Sequence, residues 1–164
     1  KDDERLSIYH QDARVYLNTT NKKYDVIFGD AFSSKYSLPY QLATKEAVIK
    51  KYDILNDGGI VILNIISSIE GSQGKFLRAE YRTYKDVFPQ VYLFPVSDPN
   101  DGKNPQNIIL VAIKSFDKKF DMTDKEDTTI NSYLKHLWKK EIILDMPILS
   151  DDFAPVDSYI NNII

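Results

Sequence analysis

The sequence predicts an α/β domain in which helices pack on a largely parallel sheet. Strand-length apolar runs alternate with helical stretches through the first half of the chain, an order that favours parallel strands joined by helical crossovers. The two most apolar of these runs are rich in β-branched residues, as in strands covered on both faces. A turn-rich segment then links two more strand-like runs, as in an antiparallel hairpin.

Leu6-Ser7-Ile8-Tyr9-His10 alternates apolar and polar side chains and is expected to be a short strand. Asp12 precedes a brief helical stretch, Ala13-Arg14-Val15-Tyr16-Leu17, and is placed to cap it. After a polar loop, Tyr24-Asp25-Val26-Ile27-Phe28-Gly29-Asp30 has the character of a buried strand ending in a carboxylate. Thr44 suits the cap of a helix over residues 45–55, where Val48, Tyr52 and Leu55 share one face. Asn56-Asp57-Gly58-Gly59 stops that helix, since glycine takes a left-handed conformation at low cost.

Ile60-Val61-Ile62-Leu63-Asn64-Ile65-Ile66 is the most hydrophobic run and has strand length. Residues 75–88 predict a helix with a broad apolar stripe, ended by Pro89. Strands over 91–96 and 107–114 flank Asp98-Pro99-Asn100-Asp101-Gly102-Lys103-Asn104-Pro105, the hairpin connector. Residues 1–116 are therefore assigned to the α/β unit. Residues 117–164 are expected to add one helix, over 128–140, and an irregular tail packed on the same domain.

Composition narrows the function. The chain has 164 residues, 43% of them hydrophobic and 27% charged, with net charge −3. The charges are well mixed, so no nucleic-acid partner is expected, because a phosphate backbone calls for a basic face. No apolar run approaches the roughly 20 residues of a membrane span, and no membrane contact by this segment is expected. Cysteine is absent and His10 and His136 are the only imidazoles, so no metal site is expected. The chain opens on Lys1-Asp2-Asp3-Glu4-Arg5 without a secretory signal. It is expected to be a piece of a longer, cytoplasmic protein.

In open parallel sheets ligands bind beyond the carboxyl ends of the strands. Those ends carry His10-Gln11-Asp12, then Gly29-Asp30 with Ser33 and Ser34, then Asn64 with Ser67 and Ser68. Asp30 has two readings of equal weight: a base or amine-holding carboxylate, or an Asx-turn residue. For Asp12 the helix cap outweighs a ligand role. The serine pairs have no histidine at a triad-like spacing. Tyr16, Tyr36, Tyr40, Phe76 and Tyr81 suit core or cleft wall. The lysine pairs 22–23, 50–51, 118–119 and 139–140 are read as solvated faces. No Gly-x-Gly-x-x-Gly follows a strand, and Gly71-Ser72-Gln73-Gly74 is a poor substitute.

Taken together, three segments resemble the carboxyl-side half of spermidine synthases. They are Asp12-Ala13-Arg14-Val15-Tyr16-Leu17, the run from Tyr24 through Asp30-Ala31-Phe32-Ser33-Ser34, and Leu55-Asn56-Asp57-Gly58-Gly59-Ile60. Phe88-Pro89-Gln90-Val91-Tyr92, Gln106-Asn107-Ile108-Ile109-Leu110-Val111-Ala112 and Ser150-Asp151-Asp152-Phe153-Ala154-Pro155-Val156-Asp157 narrow the likeness to spermidine-synthase-like proteins, including those fused to transporter domains.

The resemblance implies a Rossmann-like, class I methyltransferase-type sheet ordered 3-2-1-4-5-7-6. This chain would supply strands 3 to 7, with the closing hairpin, and lack the first two. It implies transfer of an aminopropyl or methyl group from decarboxylated S-adenosylmethionine or S-adenosylmethionine to a small-molecule amine. Asp12 and Ala13 are similar to the family's adenine-contacting residues, Asp30 to its amine-deprotonating carboxylate, and Ser33 and Ser34 to its substrate loop. The family's Asp-Ser-Ser-Asp-Pro is replaced by Asp30-Ala31-Phe32-Ser33-Ser34. The second aspartate thus falls on Ser33, which puts putrescine as acceptor in doubt and keeps open a non-catalytic nucleoside-binding or interaction domain. With the glycine turn absent, no S-adenosyl ligand is expected to bind this segment alone. The strand over residues 6–10 would lack its neighbour, so self-association through that edge into a homo-oligomer is expected.

Overall fold

The computed structural model describes residues 3–30, 39–117 and 127–160. Ser33, Ser34 and Tyr36 lie outside the described residues, as do Lys118 and Lys119.

The short helix α1, Ala13–Thr19, leads into strand β1, Tyr24–Gly29. Helix α2, Lys45–Ile54, follows, with Thr44 accepting a hydrogen bond from Ala47 N at its amino end. Strand β2, Leu55–Ser67, then runs into helix α3, Lys75–Val87, and the hairpin of β3, Gln90–Pro95, and β4, Gln106–Ile113. Two short helices, α4 (Thr128–Leu134) and α5 (Val156–Ile160), complete the described chain.

The four strands form one mixed sheet in the order β1-β2-β4-β3. β1 and β2 are parallel, pairing Val26 with Ile60 and Phe28 with Ile62. β4 is antiparallel to both β2 and β3. The second strand of the hairpin thus takes the inner place, as its 8 residues of alternating burial allow. Asn56 to Gly59 interrupts the β1–β2 register, and Gly58 turns there with φ of +79°. Left-handed backbone of that kind favours glycine.

Period-two burial sets the core. Val61, Leu63 and Ile65 of β2 and Ile108, Leu110 and Ala112 of β4 point to one face, where they meet Val48 of α2 and Phe76, Leu77 and Tyr84 of α3. Trp138, Met146, Leu149 and Val156 join the same cluster from the carboxyl-terminal part.

Three expectations need correction. Residues 6–10 form no strand. Among the described residues no strand pairs with their backbone, and Leu6 and Ile8 are 65% and 68% exposed. The sheet is not buried on both faces among the described residues. Val26, Phe28, Ile62 and Ile66 share the face away from the cluster, and Phe28 is 71% exposed. The helix expected over 128–140 stops at Leu134. Beyond it the chain ties itself to β3 instead: His136 Nδ1 donates to Pro95 O at 2.8 Å and Trp138 N to Leu93 O at 2.8 Å. Among the described residues no helix is long and apolar enough to cross a membrane.

Candidate functional site

A cavity of about 560 Å³ lies beside β1, at the edge that no described strand pairs. Val26 and Phe28 line it from one face of that strand, Ile27 and Gly29 from the other, and Leu63 from the neighbouring β2. Gln11 and Ala13 close it from the start of α1, and Asp30 stands at the carboxyl end of β1. Ala13 and Asp30, separated in sequence, are thus brought to one cavity, whose lining does not include Asp12.

The predicted residues that fall among the described ones each have a definite setting. Asp12 Oδ1 accepts from Val15 N at 3.0 Å, so the capping reading holds. Ala13 is on the cavity wall. Asp30 is exposed, and its Oδ1 accepts from Asn64 Nδ2 at 3.1 Å, across the two parallel strands. That partner is a side-chain amide, so no Asx-turn bond appears for Asp30 among the described residues. Gly29 lets this end of the sheet close: a Cβ there would lie 2.3 Å from Leu63 Cδ2. Asn64 Oδ1 and Ser68 Oγ are buried without a hydrogen-bond partner. Ser67 instead turns its hydroxyl to the carbonyls of Ser68 and Gln73. His10 is exposed and does not line the cavity.

The polar groups deepest in the wall were not legible as such. Lys51, read as part of a solvated pair, is only 6% exposed, and Glu80 is 1% exposed. Both line the cavity. Lys51 Nζ donates to Leu42 O at 2.8 Å and to Tyr84 Oη at 2.6 Å, and sits over the Tyr84 ring. Burial drives Lys51 down to about 8, with Glu80 pulling the other way. Burial likewise pushes the Glu80 carboxyl up to about 8 against the attraction of Lys51. Glu80 Oε2 has no hydrogen-bond partner. The available signal was spacing: Glu80 lies one turn from Phe76 and Tyr84, on the apolar stripe of α3.

A second polar network holds α1 in place. Arg14 donates to Gln41 O at 2.7 Å, to Thr44 Oγ1 at 2.9 Å and to Asp151 Oδ2 at 2.6 Å. Thr44 Oγ1 in turn donates to Asp151 Oδ1 at 2.6 Å. The segment near Asp151 thereby fixes both the helix that carries Ala13 and the amino end of α2. Among the described residues no cluster of histidine, aspartate and glutamate is arranged to hold a metal ion.

A mixed sheet with helices between its strands and a cavity at the carboxyl end of β1 is the plan of a methyltransferase-type α/β fold. Human methyltransferase-like protein 13, solved in complex with SAH, superposes with a TM-score of 0.56 at 18% identity, covering 83% of this chain and 59% of that one. A probable spermidine synthase from Corynebacterium glutamicum ATCC 13032 superposes with a TM-score of 0.63 at 23% identity, over 81% of this chain and 46% of that one. In sequence, a probable polyamine aminopropyl transferase of Bifidobacterium longum (strain NCC 2705) is 27% identical over 165 aligned positions, 89% of this chain and 36% of that protein. No protein-family model matches the chain. The chain is thus similar in sequence to polyamine aminopropyl transferases and shares the methyltransferase-type fold with the solved structures. It spans about a third of the length of that curated relative, 36%.

Proposed function

We propose that the chain forms the reaction-centre part of a transferase that moves an aminopropyl or methyl group to a small-molecule amine. The observation that carries the reading is the placement of Asp30 and Ala13 on one cavity. The donor would be decarboxylated S-adenosylmethionine or S-adenosylmethionine, whose sulfonium activates the adjacent carbon. Ala13 and the backbone at Asp12 would lie along the adenine, since the Asp12 carboxylate is already engaged in capping. Ser33 and Ser34 would belong to the acceptor loop.

The amine nitrogen attacks the activated carbon, the C–S bond breaks, and the neutral thioether leaves. The amine must shed a proton to attack, and Asp30 is placed to accept it or to orient the amine. Asn64 holds one carboxylate oxygen and leaves the other for the amine. Positioning supplies much of the acceleration in such a displacement. The proposed partners are the amine acceptor and, through the unpaired edge of β1, a second copy of the chain.

The substitution of Ser33 for an acidic residue favours a second reading, a non-catalytic nucleoside-binding domain of the same fold. Titration of methylthioadenosine into the full-length protein, followed by a transfer assay with amine acceptors, separates the two. Binding with transfer supports the enzyme, and binding without transfer supports the alternative. No binding overturns both.

A further inference from the structure

The single turn Tyr40–Leu42 belongs to the cavity wall, where Pro39, Leu42 and Ala43 line the space. Within itself it has little to hold it. Leu42 N donates to Pro39 O at 2.8 Å and Ala43 N to Tyr40 O at 2.9 Å, and no side chain caps its amino end. One turn of 3-10 backbone with those bonds is marginal in water.

Two cations from other elements hold it instead. Arg14, on α1, donates through Nη1 to Gln41 O at 2.7 Å, and Lys51, on α2, donates through Nζ to Leu42 O at 2.8 Å. Successive carbonyls at the carboxyl end of the turn, its negative end, thus each receive a positive charge. Arg14 is anchored in turn by Asp151, and Lys51 by Tyr84 Oη of α3 at 2.6 Å. Lys51 is 6% exposed, and no ion pair joins it to Glu80 within 4.0 Å. Packing alone gives no reason for an ammonium there, because an apolar side chain of similar length fills the space without the cost of desolvating a charge.

We propose that Lys51 is a positioning residue whose ammonium straps the turn Tyr40–Leu42 to α3 and so holds residues 39–43 in place as a wall of the cavity. The strap acts on the wall whatever ligand the cavity takes, so it stands apart from the transferase reading. Glu80 and Tyr84 of α3 and Arg14 of α1 are the charged and titratable groups that face Lys51. Burial brings Lys51 down to about 8. Above that pH the neutral amine keeps its reach but loses its charge, and a neutral bond is roughly half as strong.

The test is amide hydrogen exchange on the full-length protein, corrected for the intrinsic rate and read at Leu42 and Ala43. In the unmodified protein these amides are expected to exchange as slowly as those of α2. Exchange at the free-peptide rate overturns the proposal before any variant is made. Glu80→Gln removes the neighbouring carboxyl and keeps the strap, whereas Lys51→Met with Glu80→Gln removes the strap and strands no charge. The double variant is expected to exchange both amides about ten- to a hundredfold faster than Glu80→Gln, with α3 and β2 unchanged. Equal rates at the turn overturn the proposal, and so does a uniform acceleration that includes α3 and β2, the mark of a general loss of stability. From pH 7 to 9 the protection of the turn is expected to fall roughly fivefold in the unmodified protein and in Glu80→Gln and to stay level in the double variant. A profile that falls equally in all three, or in none, overturns the role of the charge and with it the strap.

Discussion

Replacing Asp151 by alanine tests whether the carboxyl-terminal segment holds the site-bearing helix in place. The substitution removes the carboxylate that receives Arg14 Nη2 at 2.6 Å and Thr44 Oγ1 at 2.6 Å. The two contacts differ in weight. The Arg14 side chain is 16% exposed but that of Asp151 is 46% exposed, so solvent screens the pair and its worth is about 1 kcal/mol. Thr44 is fully buried, and losing a charged acceptor there costs about 1–2 kcal/mol.

The expected loss is therefore about 2–3 kcal/mol. For a chain of this size it lowers Tm by roughly 5–10 °C. Urea denaturation followed by circular dichroism measures it, and Asp151→Asn, which keeps one acceptor, should lose about half as much. In a double-mutant cycle with Arg14→Ala the two residues should couple by about 1 kcal/mol. A change below about 0.5 kcal/mol in Asp151→Ala would show that the network does not hold α1, and the account of how Ala13 is positioned would fail.

Other outcomes follow from the same geometry. Asp30→Asn is expected to lower turnover of the full-length protein by about 10²-fold or more if Asp30 is the base, and unchanged steady-state rates would remove it from the mechanism. Gly74→Ala should destabilise by about 1–3 kcal/mol, because its Cβ would sit 2.5 Å from the backbone oxygen of Ile69; a denaturation midpoint equal to that of the parent protein would contradict this. The buried pair predicts opposed pH limbs. Between about 4.5 and 8 the unfolded Glu80 carboxyl has lost its proton while the folded one keeps it, so its contribution to stability falls as pH rises. Between about 8 and 10.5 folded Lys51 has released a proton that the unfolded chain keeps, so its contribution rises. Each limb is limited to about 1.4 kcal/mol per pH unit. Denaturation across pH should therefore show Glu80→Gln flattening the lower limb, and identical profiles for the two proteins would sink the assignment.

Local sequence determined the elements and left their neighbours open. The β-branched runs ending at Gly29 and within β2 are adjacent parallel strands, with residues 107–113 antiparallel beside the second. Asp12 and Thr44 cap their helices where their backbone chemistry put them, because caps depend on neighbours within a few residues. Asn56 to Gly59 do not stop α2, which ends at Ile54 with an extended Leu55; they fall within β2, where Gly58 makes the left-handed turn. The placement of Asp30 at a strand end followed from the same periodicity.

What tertiary structure decided are properties that depend on partners distant in sequence. Alternation over residues 6–10 suited a strand, yet a strand exists only when another backbone pairs with it, and there it stays unpaired. Lys51 had the look of a solvated lysine beside Lys50, but the approach of α3, 33 residues away at Tyr84, buries it and turns its ammonium inward. Arg14 finds Asp151 across 137 residues, a pairing that no local pattern encodes. Helix and strand signals repeat every few residues and can be read along the chain. Burial and hydrogen-bond satisfaction are set by which segments meet, so the charged wall of the cavity became visible only when α2, α3 and β1 were brought together.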